Sequence, residues 1–436
     1  MADRFARATG NWADTSTWSA TASGSVGASV PGASDSAIIN VANKVGGAGA
    51  LTITLTGDVE VDGLELYGTS GNDATLHTAS EHTVTINNYE IGGYSAKIHG
   101  YTELTGNVNL TFTKAGAHTI IIDPTHQTNK VNDITVNHAS NVLKCGSNVD
   151  IKGDLTVTAG TYNTNSAADG SGTDYNLTVA GTTTLGPDSG AADQATLNCH
   201  ASAVSLGSTK TNGAGLHVRQ GGTFTGGSGT HTIGSIVVDN NAAAKFTNTS
   251  GTATVNGHSN DSTRSILIAA NSVCVAAGTM DLTYGTASNI QCGNAAGINN
   301  LTLTGNVTYT QSNSLLMTGN LTITSGTTLT TSGSNYALTV TGQCNVNGGT
   351  LTLNGSTCDF GDVAFSSGTI NGNTATIDLN TGTGGGWVWY QTGGTWNHNT
   401  STVVYKANGK HIRSNNFYNL TIECSDSAHT GVWRDN

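Results

Sequence analysis

From Leu51 onward, short phrases alternate aliphatic residues with threonine or another polar residue. They include LTITL at 51–55, TVTIN at 83–87, HTIII at 118–122, DITVN at 133–137, DLTVT at 154–158 and NLTVA at 176–180. Successive side chains of a strand point to opposite faces, so each phrase predicts a short strand with one apolar and one hydroxylated face. The pattern is densest from Asn299 to Ser356, where aliphatic-Thr-aliphatic recurs at Leu301/Leu303, Leu321/Ile323, Leu338/Val340 and Leu351/Leu353, steps of 20, 17 and 13 residues. Gly, Asn and Asp punctuate the phrases. Repetition on this scale predicts an all-β chain folded as a β-solenoid, a right-handed parallel β-helix, with one strand per phrase and distinct N- and C-terminal caps. The texture changes twice, which divides the chain into an N-terminal cap or attachment segment (1–45), a solenoid rod (46–381) and an aromatic-rich C-terminal β region (382–436). At about 20 residues per coil and about 4.8 Å per coil, the expected rod is about 100 Å long.

Composition sharpens this picture. Gly is 58 of 436 residues and Pro only 3, so the turns are expected to use Gly and Asn, which tolerate positive φ. Charged residues are 10% of the chain, against about 25% in ordinary domains. Glu is absent between Glu103 and Glu423, Lys and Arg are absent between Arg264 and Lys406, and residues 299–356 carry no Asp, Glu, Lys or Arg. A net charge of −12 without a basic cluster disfavours nucleic acid as a partner. No apolar run is long enough to span a bilayer, so membrane insertion is not expected. The opening MADRFARATGNW has no apolar signal region, which points to synthesis and assembly in the cytosol or export by another route. The seven cysteines, Cys145, Cys199, Cys274, Cys292, Cys344, Cys358 and Cys424, are widely spaced with no CxxC, and read as reduced core residues. No cofactor and no metal is expected.

Candidate chemistry is sparse. The close acidic pairs are Asp150/Asp154, Asp169/Asp174 and Asp359/Asp362. Two carboxylates on neighbouring coils could flank a glycosidic bond, but Gly361 between the last pair favours turn carboxylates making local backbone bonds. The histidines, among them His118, His126, His231, His258 and His411, are scattered without metal-ligand spacing. The polar stretch Asn163 to Asp174 reads as an exposed loop, where a uniform scaffold would place specificity. Aromatic residues gather at the C-terminal region as Trp387, Trp389, Tyr390 and Trp396, alongside Lys406, Lys410, Arg413 and Arg434. Alternation places Trp387 and Trp389 on one strand face, where they could stack on sugar rings or fill a core or subunit interface. Trp12 and Trp18 pose the same choice at the N-terminus, with capping or attachment preferred.

The run ATGNWADTSTWSATASGSVGASVPGASDSAIIN, with Gly10, Asn11, Trp12, Trp18, Ser19, Val30, Pro31 and Asp35, resembles the opening of a group of bacteriophage structural proteins. The later phrase GTWNHNTSTVVYKANGKHIRSNNFYNLTI is similar to a GTW…FYNLTI unit in the same proteins. The resemblance spans about 35 residues at one end and 40 at the other. It implies a tail-fibre, spike or head-decoration component and carries over no catalytic residue. The expectation is a non-enzymatic virion protein, assembled in the host cytoplasm as a homo-oligomer, with a trimer preferred. Its partners would be other virion proteins and host surface polysaccharide. The alternatives are a polysaccharide-degrading tailspike and a bacterial extracellular adhesin or filament subunit.

Overall fold

The computed structural model describes residues 2–47, 49–87, 94–124, 130–187, 194–208, 214–258, 263–294, 297–380, 386–407, 410–413 and 416–423. Among them there is no α-helix, only two single-turn 3-10 helices at Thr15–Thr17 and Val41–Asn43. Nearly all strand pairing is parallel between successive coils, as a β-solenoid requires. The chain forms two compact units, one of residues 1–207 and 218–229, the other of residues 208–217 and 230–436.

In the first unit one face stacks Ala37, Leu64, Ala96, Ile120 and Cys145 in parallel register. All five are fully buried. A second face stacks Val84, Leu110, Ile134 and Leu155. A separate four-stranded parallel sheet joins Gly10–Asn11, Leu51–Leu55, Ala74–Thr78 and Thr102–Thr105. The first strand, Ala2–Ala6, pairs parallel with Asp35–Asn40 on one side and antiparallel with Trp18–Ser19 on the other.

The second unit shows why the phrases recur at uneven intervals. Leu301 stacks on Leu321, and Leu321 stacks on Cys344. Leu338 belongs to another face, between Leu315 and Cys358, and Leu351 to a third, between Leu329 and Ile370. Each coil here carries up to three strands, so the spacings of 17 and 13 residues measure steps between faces and not coil lengths. The true period is the in-register step, for example 20 residues from Leu301 to Leu321 and 23 from Leu321 to Cys344.

Inward aliphatic residues are buried and the outward threonines between them are half-buried, as alternation requires. Corners use residues that accept positive φ: Asn354, Asn373 and Asn399 all lie near +50° (φ 52, 47 and 45). These three mark one corner in successive coils, and the Asn399 carboxamide donates to that of Asn373 at 2.9 Å.

Another corner device runs up both units. The Asn109 side-chain oxygen accepts from Asp133 N at 3.2 Å, Asp133 from Asp154 N at 2.7 Å, and Asp154 from Thr182 N at 2.6 Å. Asn148 and Asn176 repeat this with Asn176 N and Ala203 N. In the second unit Asn300 accepts from Asn320 N at 2.9 Å, and Asn320 from Gln343 N at 2.8 Å. The residue before the first aliphatic of a phrase therefore bonds, in the next coil, the backbone N–H of the residue just before a buried inward one. Gly153, Gly181, Gly319 and Gly342 sit where a Cβ would overlap the Asp133, Asp154, Asn300 and Asn320 side chains respectively. Their role is to leave room, since none of them has positive φ.

Candidate functional site

The C-terminal aromatic residues are placed by the strand Trp387–Gln391. It pairs in parallel with Val363, Ala364 and Phe365 on one side and with His411–Arg413 on the other. The register slips between Trp387 and Trp389, because Trp387 faces His411 while Trp389 faces the very next residue, Ile412. This bulge places Val388 and Trp389 together in the interior, both 0% exposed, and leaves Trp387 and Tyr390 half-buried on the outside. The expectation that Trp387 and Trp389 share a face is therefore overturned: simple alternation fails where two consecutive residues are turned inward.

Trp389 lies 4.9 Å from Trp396, 5.9 Å from Phe365 and 5.5 Å from Phe417 between ring centroids, all edge-to-face. It occupies the inward column that runs through Met280, Leu301, Leu321, Cys344 and Val363. Trp389 and Trp396 are core residues, and each such aromatic pair adds about 0.5–1.5 kcal/mol beyond area burial. Their indole N–H groups find no acceptor among the described residues.

Outside, Trp387 lies 5.3 Å from Tyr390 and 5.3 Å from His411, and the Arg413 guanidinium stands 5.8 Å from the Tyr390 ring centroid. The strand carrying His411 and Arg413 is anchored at its start by Tyr405, whose hydroxyl donates to Lys410 O at 2.6 Å and accepts from Lys410 N at 3.2 Å. Sequence reasoning missed His411 and Arg413 as members of this group. The available signal was their spacing of two within a β phrase, which places both on one face.

At the N-terminus Trp12 and Trp18 are 3% and 0% exposed and pack edge-to-face at 5.0 Å, and the Trp18 indole donates to Trp12 O at 2.8 Å. Both rings fill interior space.

The acidic pairs are dispersed into separate local roles. Asp150 pairs with Lys130, while Asp154 serves the corner ladder. In the 163–174 loop Asp169 accepts from Ser171 Oγ and N, which holds its carboxyl below the usual range, and Asp174 accepts from Asn165 at 2.8 Å. Asp362 is 2% exposed whereas Asp359 is half-buried on the outer face. Gly361 between them leaves room for Thr341 O of the preceding coil. Asp359 instead stands in register with Asp378 of the next coil. Asn380 donates to Asp359, and Lys406 donates to Asp378 at 2.8 Å. The bond to Asp378 raises the Lys406 pKa.

Six cysteines, Cys145, Cys199, Cys274, Cys292, Cys344 and Cys358, are free and buried. Burial pushes Cys145, Cys292 and Cys358 up to about 12 and raises the other three as well. His118 is buried with Nε2 3.2 Å from Ala115 O, and His258 packs on Tyr284 at 5.0 Å. His126, Cys424 and Arg434 lie outside the described residues. Among the described residues no three His, Cys, Asp or Glu side chains are arranged to hold a metal ion, and no helix is long and apolar enough to cross a membrane. No protein family, curated protein or solved structure matches the chain.

Proposed function

We propose that this chain is a non-enzymatic structural subunit of a bacteriophage particle, a fibre or capsid-decoration protein that displays stiff stacked β-coils. It would act as a homo-oligomer, with a trimer preferred, alongside other virion proteins. The observation that carries this reading is the continuity of the inward columns. Side chains from Met280 to Trp389 stack coil on coil with at most 1% exposure, under outer faces built largely of Thr and Asn. Parallel strands bonded on both edges, with buried apolar stacks, resist bending and local opening. The terminal phrases that resemble phage structural proteins point the same way. The test is mass spectrometry of purified particles of the phage encoding the chain. Its presence in stoichiometric amount is expected, and its absence would remove the reading.

A second reading, a polysaccharide-degrading tailspike, draws on the in-register Asp359 and Asp378 carboxylates of adjacent coils. Carboxylates about 5–9.5 Å apart can serve glycoside hydrolysis, although here Asn380 and Lys406 already engage this pair. Incubation with host capsular polysaccharide or lipopolysaccharide decides the matter. Reproducible chain shortening that is lost in Asp359→Asn would replace the structural reading.

A further inference from the structure

The outer side of the face containing Trp387–Gln391 has an abrupt step. Followed coil by coil, its central outward position is Asp281, Thr302, Thr322, Asn345, Ala364, Tyr390 and then Arg413. No side chain larger than Asn or Asp occupies it until Tyr390. The small Ala364 side chain is in register with Tyr390 on one side, and on the other the Arg413 guanidinium approaches the Tyr390 ring. Trp387 and His411 form the adjacent in-register pair, so four side chains make one ledge. The His411 Nδ1 atom is buried and bonded to nothing among the described residues.

The charge setting is equally local. In a chain of net charge −12, residues 379–422 contain no Asp or Glu but do contain Lys406, Lys410 and Arg413. Lys406 is held by Asp378, which leaves Arg413, at the Tyr390 ring, and Lys410, the residue before His411, as the remaining positive groups of this stretch.

We propose that this ledge binds an acidic saccharide, a glycan bearing carboxylates on its rings. The Trp387 ring offers the flat apolar surface that packs against the C–H face of a pyranose. Arg413 offers a planar guanidinium fork that matches a carboxylate, and the His411 ring and Tyr390 hydroxyl supply hydrogen bonds to sugar hydroxyls. A neutral glycan would use the ring and leave the cation unmatched. Nucleic acid would need a broader basic surface than one arginine and one lysine provide. The inference deepens the display reading and rests on it for the surface the coils would be presented to.

The test is titration of the full chain, followed by tryptophan fluorescence and calorimetry, with an oligogalacturonate and with the same oligomer after its carboxyls are reduced to alcohols. The reduced oligomer should bind about tenfold more weakly, since a charge-assisted bond is lost. Trp387→Ala should weaken the acidic oligomer by about tenfold or more while keeping the wild-type melting temperature. Arg413→Gln should bring the acidic oligomer down to the level of the reduced one, and Tyr390→Phe should keep the preference for acid. Equal binding of the two oligomers, unchanged binding by Trp387→Ala, or no binding of the acidic oligomer at millimolar concentration would each overturn the proposal. Sedimentation showing that Trp387→Ala dissociates an oligomer would overturn it in favour of an interface between copies. These measurements need no particles, so their failure is separable from absence of the chain from virions.

Discussion

Two tryptophans two residues apart do opposite things. Trp389 is 0% exposed among Phe365, Trp396 and Phe417, while Trp387 lies on the outer face. Trp389→Ala should therefore destabilise the protein by about 3–5 kcal/mol, because a large buried ring leaves a cavity that a stacked coil cannot collapse into. Trp387→Ala should fall within about 1 kcal/mol. Denaturant melts of the two variants read this directly, and equal losses would mean that the bulge is absent. The cysteines give a second check at this scale. With burial raising all six described thiols, iodoacetamide should leave their peptides unmodified in the native protein and modify them after unfolding. Native-state alkylation of Cys344 or Cys199, read by peptide mass spectrometry, would contradict the inward stacking. The inward placement of Cys344 and Cys358 was legible from their alternation with Val346 and Phe360. That of Trp389 was half legible: its burial was foreseen as one option, but the inward turn of two consecutive residues follows from pairing with a strand far along the sequence.

Phrases of the form Gly-Asn-Leu-Thr or Gly-Asp-Leu-Thr read at first as turn punctuation followed by a strand. The structure gives every letter a task. The aliphatic residue enters the column and Thr faces out. Asn or Asp carries the bond to the next coil, and Gly leaves room for the same side chain from the coil before. Gly342→Ala should displace the Asn320 carboxamide and expose the Gln343 N–H to loss of its partner, a cost of about 1–3 kcal/mol. Asn320→Ala removes the acceptor and the side-chain part of the obstacle together, while the Gly319 carbonyl, 2.7 Å from that Cβ, stays in place. The double variant should therefore be less destabilised than the sum of the singles, with a coupling energy of about 0.5–3 kcal/mol in a thermodynamic cycle. Strict additivity would show that the two residues do not meet. By contrast, the phrase Leu420/Ile422 keeps the same pattern, yet Ile422 is 52% exposed and Leu420 half-buried. The pattern states which side is inward, and burial follows only where another coil packs over it.

For the molecule as a whole, the sparse charges set the response to pH. Burial raises the carboxyls of Asp62, Glu65, Asp133 and Asp281. The folded chain then holds these protons more tightly than the unfolded chain does. Their contribution to stability is present in full below the ordinary carboxylate range, about pH 4, and is lost as pH rises through the raised values. Relief of the repulsion from a net charge of −12 acts in the same direction. The melting temperature should be higher at about pH 4.5 than at about pH 7.5. A fall on acidification, followed by calorimetry, would show that favourably bonded carboxylates such as Asp169 dominate instead. The Lys406 contribution is lost in the same direction, with rising pH, but only in the alkaline range, because its raised value lies above that of a free lysine.

The sequence by itself determined that the chain is all β, which residues of the regular alternating phrases turn inward, and that Gly and Asn make the corners. It determined these because alternation and positive-φ tolerance are properties of a few adjacent residues. It also showed that the most regular stretch is uncharged. Only the tertiary structure decided which phrases lie over one another: their division among three faces, Asp359 over Asp378, Trp387 beside His411 and Tyr390 beside Arg413. In a solenoid the neighbour above a residue is one coil away, and coil length varies with every corner and loop. Here it is 17 residues between Val403 and Leu420, 19 between Cys344 and Val363, and 35 between Tyr162 and Leu197. A local pattern cannot count those residues in advance, so the contacts that define a site are settled by backbone pairing.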